Sequence, residues 1–177
     1  MKKHFLHILL LLSLFCFVGC GGKKKPDDLP PLYPVKITVM QDGKPLERAT
    51  VRLVADGSNT RFTTGSVTDK NGVAIIKTDG QWPGAPEGKY KVLVQKIVTP
   101  EADPSEDSLS YEEQQVKAAE RNKQTKSVVD SKFMNLKTTT LAIEVTTSGA
   151  TETFDVGAAV NDPLDSVSSS SSSSGHR

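Results

Sequence analysis

Cysteine and histidine are nearly absent from most of this chain. The sequence has two cysteines, Cys16 and Cys20, and three histidines, His4, His7 and His176. A Ser–His or Cys–His nucleophilic pair needs an imidazole held inside a fold, and zinc sites are built largely from His and Cys. Between Cys20 and His176 we therefore expect no disulfide, no metal site, no cofactor and no enzyme of these classes.

An excess of charge of either sign is also missing. The chain has 22 Lys and Arg residues against 21 Asp and Glu residues. Two of these cations, Lys2 and Lys3, lie at the start of the sequence, so the remaining residues are also close to neutral in total charge. A nucleic-acid-binding protein needs a strongly basic surface to neutralise phosphates. We therefore expect no nucleic-acid partner.

Long apolar runs are confined to the start of the chain. Lys2 and Lys3 precede an apolar stretch at residues 5–18, which is shorter than the about 20 residues of a membrane-spanning helix. The stretch ends in Val18-Gly19-Cys20, the form of a lipoprotein signal. We predict a signal peptide at residues 1–19, cleavage before Cys20 and acylation of its thiol. The alternatives are an uncleaved membrane anchor and a secretory signal cut elsewhere.

The residues after Cys20 predict where the anchor holds the protein. Gly21 follows, with no acidic residue next to the cysteine. In a bacterium with two membranes this pattern resembles lipoproteins sent to the outer membrane, so we expect an extracytoplasmic location with the membrane as partner. Residues 20–34 are predicted to be a solvated tether, because their four prolines favour extended chain. Residues 161–177, with a serine run, are predicted to be a disordered tail.

Residues 35–160 show the period-two alternation of strands. Val35, Ile37 and Val39 alternate with more polar residues, and Asp42-Gly43 is a tight-turn signal. Further strands are predicted around positions 49–53, 61–68, 73–77, 90–94 and 141–145, with a last strand at Phe154 and Val156 that pairs with 141–145 across Ser148-Gly149. This pattern indicates an all-β, Ig-like or prealbumin-like β-sandwich of about seven strands.

Residues 99–127 depart from this pattern. They are rich in charged residues, Gln and Ala, and Ser110 with Glu113 has the form of a capping box that opens a helix to about Gln124. Only Leu109, Val116 and Ala119 could face a core. We predict a mobile helical or disordered insertion exposed to solvent, with docking of a partner as the alternative.

Several turns carry a family resemblance. The motifs are Asp42-Gly43-Lys44-Pro45-Leu46, Thr68-Asp69-Lys70-Asn71-Gly72, Pro86-Glu87-Gly88-Lys89-Tyr90, and Lys132-Phe133 leading into Thr138-Thr139-Thr140-Leu141. Residues 35–156 thus resemble the carboxypeptidase regulatory-like (transthyretin-like, Ig-like) domains of bacterial envelope lipoproteins, especially small planctomycete ones. The resemblance implies a non-enzymatic sandwich. The related hydroxyisourate hydrolases use histidines and a C-terminal Tyr-Arg-Gly-Ser that this chain lacks, so that activity is not expected.

Carboxylates offer little evidence of a site. Asp69-Lys70-Asn71-Gly72 is superficially similar to a calcium loop, but Thr78 stands where an EF-hand would need its glutamate. A hairpin turn is the better interpretation. A further acidic cluster, at residues 101–107, is interpreted as solvated charge rather than a weak calcium site. The adjacent pairs Asp27-Asp28 and Glu112-Glu113 do not face each other across a cleft of about 5–9.5 Å, as glycosidase carboxylates do.

Trp82, the single tryptophan, is the candidate binding residue in the body. An exposed indole stacks on sugars or anchors protein contacts, whereas a buried one would cap the sandwich. Gly43, Gly72 and Gly88 are predicted to be structural turn residues, and Tyr90 is predicted to have its ring in the core and its hydroxyl bonded to nearby backbone. We expect a non-catalytic binding or structural module that contacts an envelope protein. A glycan-binding module centred on Trp82 is the alternative.

Overall fold

The computed structural model describes residues 24–55 and 61–163, which form thirteen strands, one α-helix and two 3-10 helices. The strands are β1 Val35–Gln41, β2 Lys44–Pro45, β3 Thr50–Ala55, β4 Thr64–Val67, β5 Val73–Ile75, β6 Lys77–Thr78, β7 Trp82–Pro83, β8 Gly88–Gln95, β9 Ile97–Val98, β10 Lys126–Ser127, β11 Ala142–Val145, β12 Ala150–Asp155 and β13 Asp162–Pro163. Helix α1 is Tyr111–Lys123, and the 3-10 helices are Pro104–Ser108 and Ser131–Phe133.

The strands form two main sheets and one small sheet. In the four-stranded sheet, β1 lies between β12 on one side and β2 with β5 on the other. The six-stranded sheet has the order β11-β8-β3-β4-β6-β7, and a three-stranded sheet has the order β13-β10-β9. The pairing of β1 with β12 is parallel, whereas the other strand pairs are antiparallel. The predicted all-β sandwich with one helical insertion is confirmed.

The core lies between the two main sheets. Ile37 and Val39 of β1 face Val51 of β3 and Val92 and Val94 of β8, and all five have 0% exposed surface. Burial of each such side chain contributes about 1.5–3 kcal/mol. The alternation in the sequence therefore identified the core-facing residues of these strands correctly.

The predicted strand at residues 73–77 is divided between the sheets. Val73–Ile75 pairs with β1, and Lys77–Thr78 pairs with β4 in the other sheet. Ile76, which lies between them, has 0% exposed surface. The chain changes sheets here because both halves of the segment contribute to the core. The following loop, predicted from position 79 to 88, contains the short strand β7.

The predicted hairpin at the end of the body is wrong. Strand β11 pairs with β8, so that Ile143 lies opposite Tyr90, whereas β12 runs parallel to β1 with Phe154 opposite Val39. The turn itself is present, with Gly149 at φ 86°. It leads from one sheet to the other instead of closing a ladder, because alternation specifies which face of a strand is buried and not which strand lies beside it.

Three predicted segment boundaries, those of the tether, the insertion and the tail, also differ from the structure. Residues 26–34 pack on the body, residues 126–127 form β10, and the first residues of the predicted tail form β13. We call residues 26–34 the strap and residues 99–125 the insertion. The predicted signal peptide, Cys20 and residues 164–177 lie outside the described residues, as does the predicted strand break at positions 56–59.

Candidate functional site

The strap joins the predicted anchor to the sandwich. Leu29 is buried, with 7% of its surface exposed, and its N–H donates to the carbonyl of Pro26 at 3.1 Å. Tyr33 and Ala85 exchange two backbone hydrogen bonds of 2.8 and 3.0 Å. The carboxylate of Asp28 pairs with the guanidinium of Arg61. The predicted solvated spacer is therefore wrong from Pro26 onward, because its apolar residues find contacts on the body that composition alone does not reveal.

Strap residues also line a cleft at the same end of the sandwich. The cleft has a volume of about 710 Å³, and its walls are formed by Asp28 and Pro30 of the strap, the end of β3, residues 61–64, and Pro86, Glu87 and Tyr90. The carboxylate of Asp28 is already paired with Arg61. The cleft is a seam between strap and sheet. Sequence reasoning missed it because its walls come from four segments that are far apart in the chain.

Tyr90 is one of the residues that line this cleft. The residue is buried, with 7% of its surface exposed, and its hydroxyl donates to the carbonyl of Pro86 at 2.8 Å. Burial raises the pKa of the Tyr90 phenol above its usual value of 10.0. Gly88 adopts φ 150°, and a Cβ on it would lie 3.7 Å from the Tyr90 ring. This pair holds the entry to β8 in place and has a structural role.

Gly43 and Gly72, two of the three predicted turn glycines, have different surroundings. Asp42 and Gly43 both have positive φ, 51° and 70°, as a two-residue hairpin loop requires. Gly43 has open space around it, whereas a Cβ on Gly72 would lie 2.5 Å from the carbonyl oxygen of Val39. Both positions favour glycine by backbone conformation, and Gly72 also requires it for close approach of the backbones.

Trp82 lies at the free edge of the six-stranded sheet. It pairs with Thr78, which pairs in turn with Thr64, and both threonines are buried. Register partners share a sheet face, so the indole continues the core-facing row and is half-buried. Trp82 does not line the cleft described above. This position favours the capping role and leaves part of the ring accessible to a ligand.

The insertion leaves from the opposite end of the sandwich. Strand β8 begins at the cleft and ends at Gln95, after which β9 leads into the insertion and β10 returns from it. This end is held by hydrogen bonds from Gln41 Nε2 to the carbonyl of Val128, at 2.7 Å, and from the N–H of Val128 to the carbonyl of Lys96, at 3.0 Å. Strand β1 spans about 20 Å between the two ends.

Internal contacts maintain the insertion. Ser110 and Glu113 form the predicted capping box, and bonding to the Ser110 hydroxyl and N–H lowers the pKa of the Glu113 carboxyl. Arg121 pairs with Glu106 of the 3-10 helix. Val116 is 59% exposed, and neither helix of the insertion has a buried residue, so Val116, one of the three residues that could have faced a core, does not do so. The predicted mobility stays a prediction.

Carboxylates of the turn at Asp69 and of the acidic cluster at residues 101–107 bond to the backbone of their own turns. Asp69 accepts the N–H groups of Val73 and Asn71, at 2.9 and 2.8 Å, and these bonds lower the pKa of its carboxyl. Asp103 accepts the N–H of Ser105 as a helix cap. Within residues 24–55 and 61–163, no group of three or more His, Cys, Asp or Glu side chains is arranged to hold a metal ion. These carboxylates stabilise local backbone.

Comparisons with known proteins add no assignment. Among the described residues, no helix is long and apolar enough to cross a membrane. No protein-family model, no curated protein and no solved structure matches the chain.

Proposed function

We propose that this chain is a lipoprotein anchored through acylated Cys20 at the cell envelope, outside the cytoplasm. Its sandwich is a non-catalytic module that binds a protein partner or supports a structure there. Two or three acyl chains anchor stably, because each buried CH₂ contributes about 0.8 kcal/mol. The family resemblance of residues 35–156 agrees with this role.

The observation that carries the proposal is the placement of strap and insertion at opposite ends of the sandwich. A lipid anchor attached through the strap leaves the insertion unobstructed by the anchor. The insertion exposes 76% of Tyr111 and 59% of Val116. Aromatic and aliphatic side chains of this kind are typical anchors of protein contacts.

A deletion variant tests the insertion as the contact surface. Val98 and Lys126 are direct antiparallel partners, so an Asn-Gly turn can replace residues 99–125 and close a two-residue hairpin. We expect cross-linking in intact envelopes, read by mass spectrometry, to show a partner that the native lipoprotein captures and this variant does not. Equal capture by both proteins would remove the insertion from the proposal.

Point variants refine the same experiment. Tyr111→Ala with Val116→Ala should reduce capture, whereas Thr151→Ala with Thr153→Ala changes exposed residues of β12 and should leave capture unchanged. Intact mass of the mature protein tests the anchor independently. An N-terminus other than acylated Cys20 would remove the lipoprotein assignment.

Glycan binding through Trp82 is the second candidate. It is supported by the half-buried indole at a free sheet edge. Because Trp82 is the single tryptophan, its fluorescence reports this position alone. Titration with cell-wall and storage polysaccharides should change the emission if the candidate is correct. Unchanged emission across the series would eliminate it.

A further inference from the structure

The outer face of the six-stranded sheet carries an excess of positive charge. Residues that alternate with the buried positions of its strands point away from the core. These outward positions include four cations, which are Arg52 of β3, Lys77 of β6, and Lys89 and Lys91 of β8. Glu144 of β11, which lies opposite Lys89, is the acidic residue that the strand register places on this face.

Within the part of the chain that the structure describes, few of these cations have a partner. Among residues 24–55 and 61–163, no carboxylate lies within ion-pairing distance of Arg52, Lys77 or Lys89. Lys91 donates to the backbone carbonyl of Thr139 at 3.3 Å. The excess of cations over carboxylates at the described positions of this face leaves a positive field that favours an anionic partner.

The outer face of the other sheet provides the comparison. Its outward positions on β1 are Lys36, Thr38 and Met40, and those on β12 are Thr151, Thr153 and Asp155. The outward positions of these two strands thus carry one lysine and one aspartate, which gives no net charge. The excess of positive charge is therefore a property of one side of the sandwich and not of the whole body.

The strap enters beside the positive face. Asp28 and Pro30 line the same cleft as Arg52 and Val54, which are outward-facing residues of β3. Five residues separate Cys20 from Pro26, so an anchor at Cys20 lies at most about 20 Å from the strap. Lys24 and Lys25 are part of this short connection. An anchored body would thus have its positive face within reach of the bilayer.

We propose that the outer face of the six-stranded sheet rests on anionic lipid headgroups of the membrane that holds the anchor. This inference rests on the proposed anchoring through Cys20. The short connection between Cys20 and the strap favours a bilayer over a soluble acidic protein, because it keeps this face close to the membrane that holds the anchor. The insertion then extends along the membrane from the far end of the body, so that its partner is one that lies at the membrane surface.

Fluorescence quenching of the full acylated protein in vesicles tests this orientation. Thr50→Cys lies on the positive face and Thr151→Cys lies on the opposite outer face, and each provides one labelling site because the Cys20 thiol is acylated. A headgroup-attached quencher in vesicles of phosphatidylcholine with phosphatidylglycerol should quench the Thr50→Cys label more strongly. The difference should diminish in pure phosphatidylcholine and at high salt.

Matched charge variants complete the test. Arg52→Gln, Lys77→Gln and Lys89→Gln together should abolish the difference in quenching between the two labels. Each cation near an anionic surface changes the equilibrium constant for contact of this face with the membrane about fivefold. Lys36→Gln, Lys44→Gln and Lys70→Gln together make the same change in charge elsewhere and should preserve it. Equal quenching of both labels, or quenching that the first triple variant does not change, would overturn the inference. A mature protein without acylated Cys20 would instead overturn the proposed anchoring.

Discussion

Tyr90 links the core to the loop that precedes β8 through a single side-chain hydrogen bond to Pro86. Tyr90→Phe retains the buried ring and removes the hydroxyl, so the free energy of unfolding should fall by about 1 kcal/mol. Urea denaturation measures this change. Tyr111→Phe is the control, because Tyr111 is 76% exposed and its hydroxyl has no part in the core. An equal loss of unfolding free energy in Tyr111→Phe and Tyr90→Phe would contradict the structural role of the Tyr90 hydroxyl.

Alanine substitutions at Gly43 and Gly72 distinguish the effect of backbone conformation on stability from the effect of close packing. Gly43→Ala should reduce the free energy of unfolding by about 1–2 kcal/mol, because an alanine is strained at positive φ. Gly72→Ala should cost about 1–3 kcal/mol more, since its Cβ would lie 2.5 Å from the Val39 carbonyl oxygen and the turn would have to shift. Thermal and urea unfolding of both variants check the order. Equal losses would show that φ alone determines the need for glycine.

At the scale of single elements, helix α1 depends on its cap more than on packing. Ser110 caps the N-terminus, and no residue of the helix is buried. An isolated helix of this length is marginal in water. Ser110→Ala should therefore weaken the helix by about 1 kcal/mol and speed amide hydrogen exchange within it.

The same substitution should leave exchange in β3 and β8 unchanged, because α1 makes no core contact. Ser148→Ala, at the exposed turn before β12, is a control that should not affect the helix. Slower global refolding or faster exchange in the sandwich would show that α1 and the body are coupled.

Strand β12 is an edge strand, and a charged residue protects it from pairing with another chain. Ala150 and Phe154 pack against the core, and alternation places Glu152 on the same face, where it is exposed at the sheet margin. An inward-facing charge on an edge strand opposes pairing with another chain. Glu152→Val should therefore promote self-association in sedimentation experiments. Thr153→Val, which adds a similar side chain on the other face, should leave the protein at its original size.

At the scale of the whole molecule, the sandwich and the insertion are separable. Replacement of residues 99–125 by Asn-Gly removes no residue of the hydrophobic core. We expect the variant to fold with a thermal midpoint close to that of the parent, because the β9–β10 pairing that bounds the insertion is retained. Circular dichroism should show loss of helical signal alone. Unfolding of the variant would contradict this independence.

Much of the body could be predicted because its signals are local. Seven strands of three or more residues occur where alternation indicated seven, and the capping box at Ser110 opens α1 as predicted. The pairing of β11 and β12 could not be predicted in this way, since both strands bury one face whichever neighbour they have. The docking of Leu29 was missed for the same reason: a proline-rich composition is compatible with a free tether and with a strap.

By itself the sequence determined which residues turn inward, where tight turns occur, and which catalytic residue types the body lacks. Side-chain period, turn stereochemistry and composition act among neighbours in the chain, so they can be recognised without a fold. Only the tertiary structure decided that β12 runs beside β1, that the strap lines a cleft, and that Arg52, Lys77 and Lys89 share one face. Those features depend on which distant segments lie side by side, and that choice is made by burial of the common core.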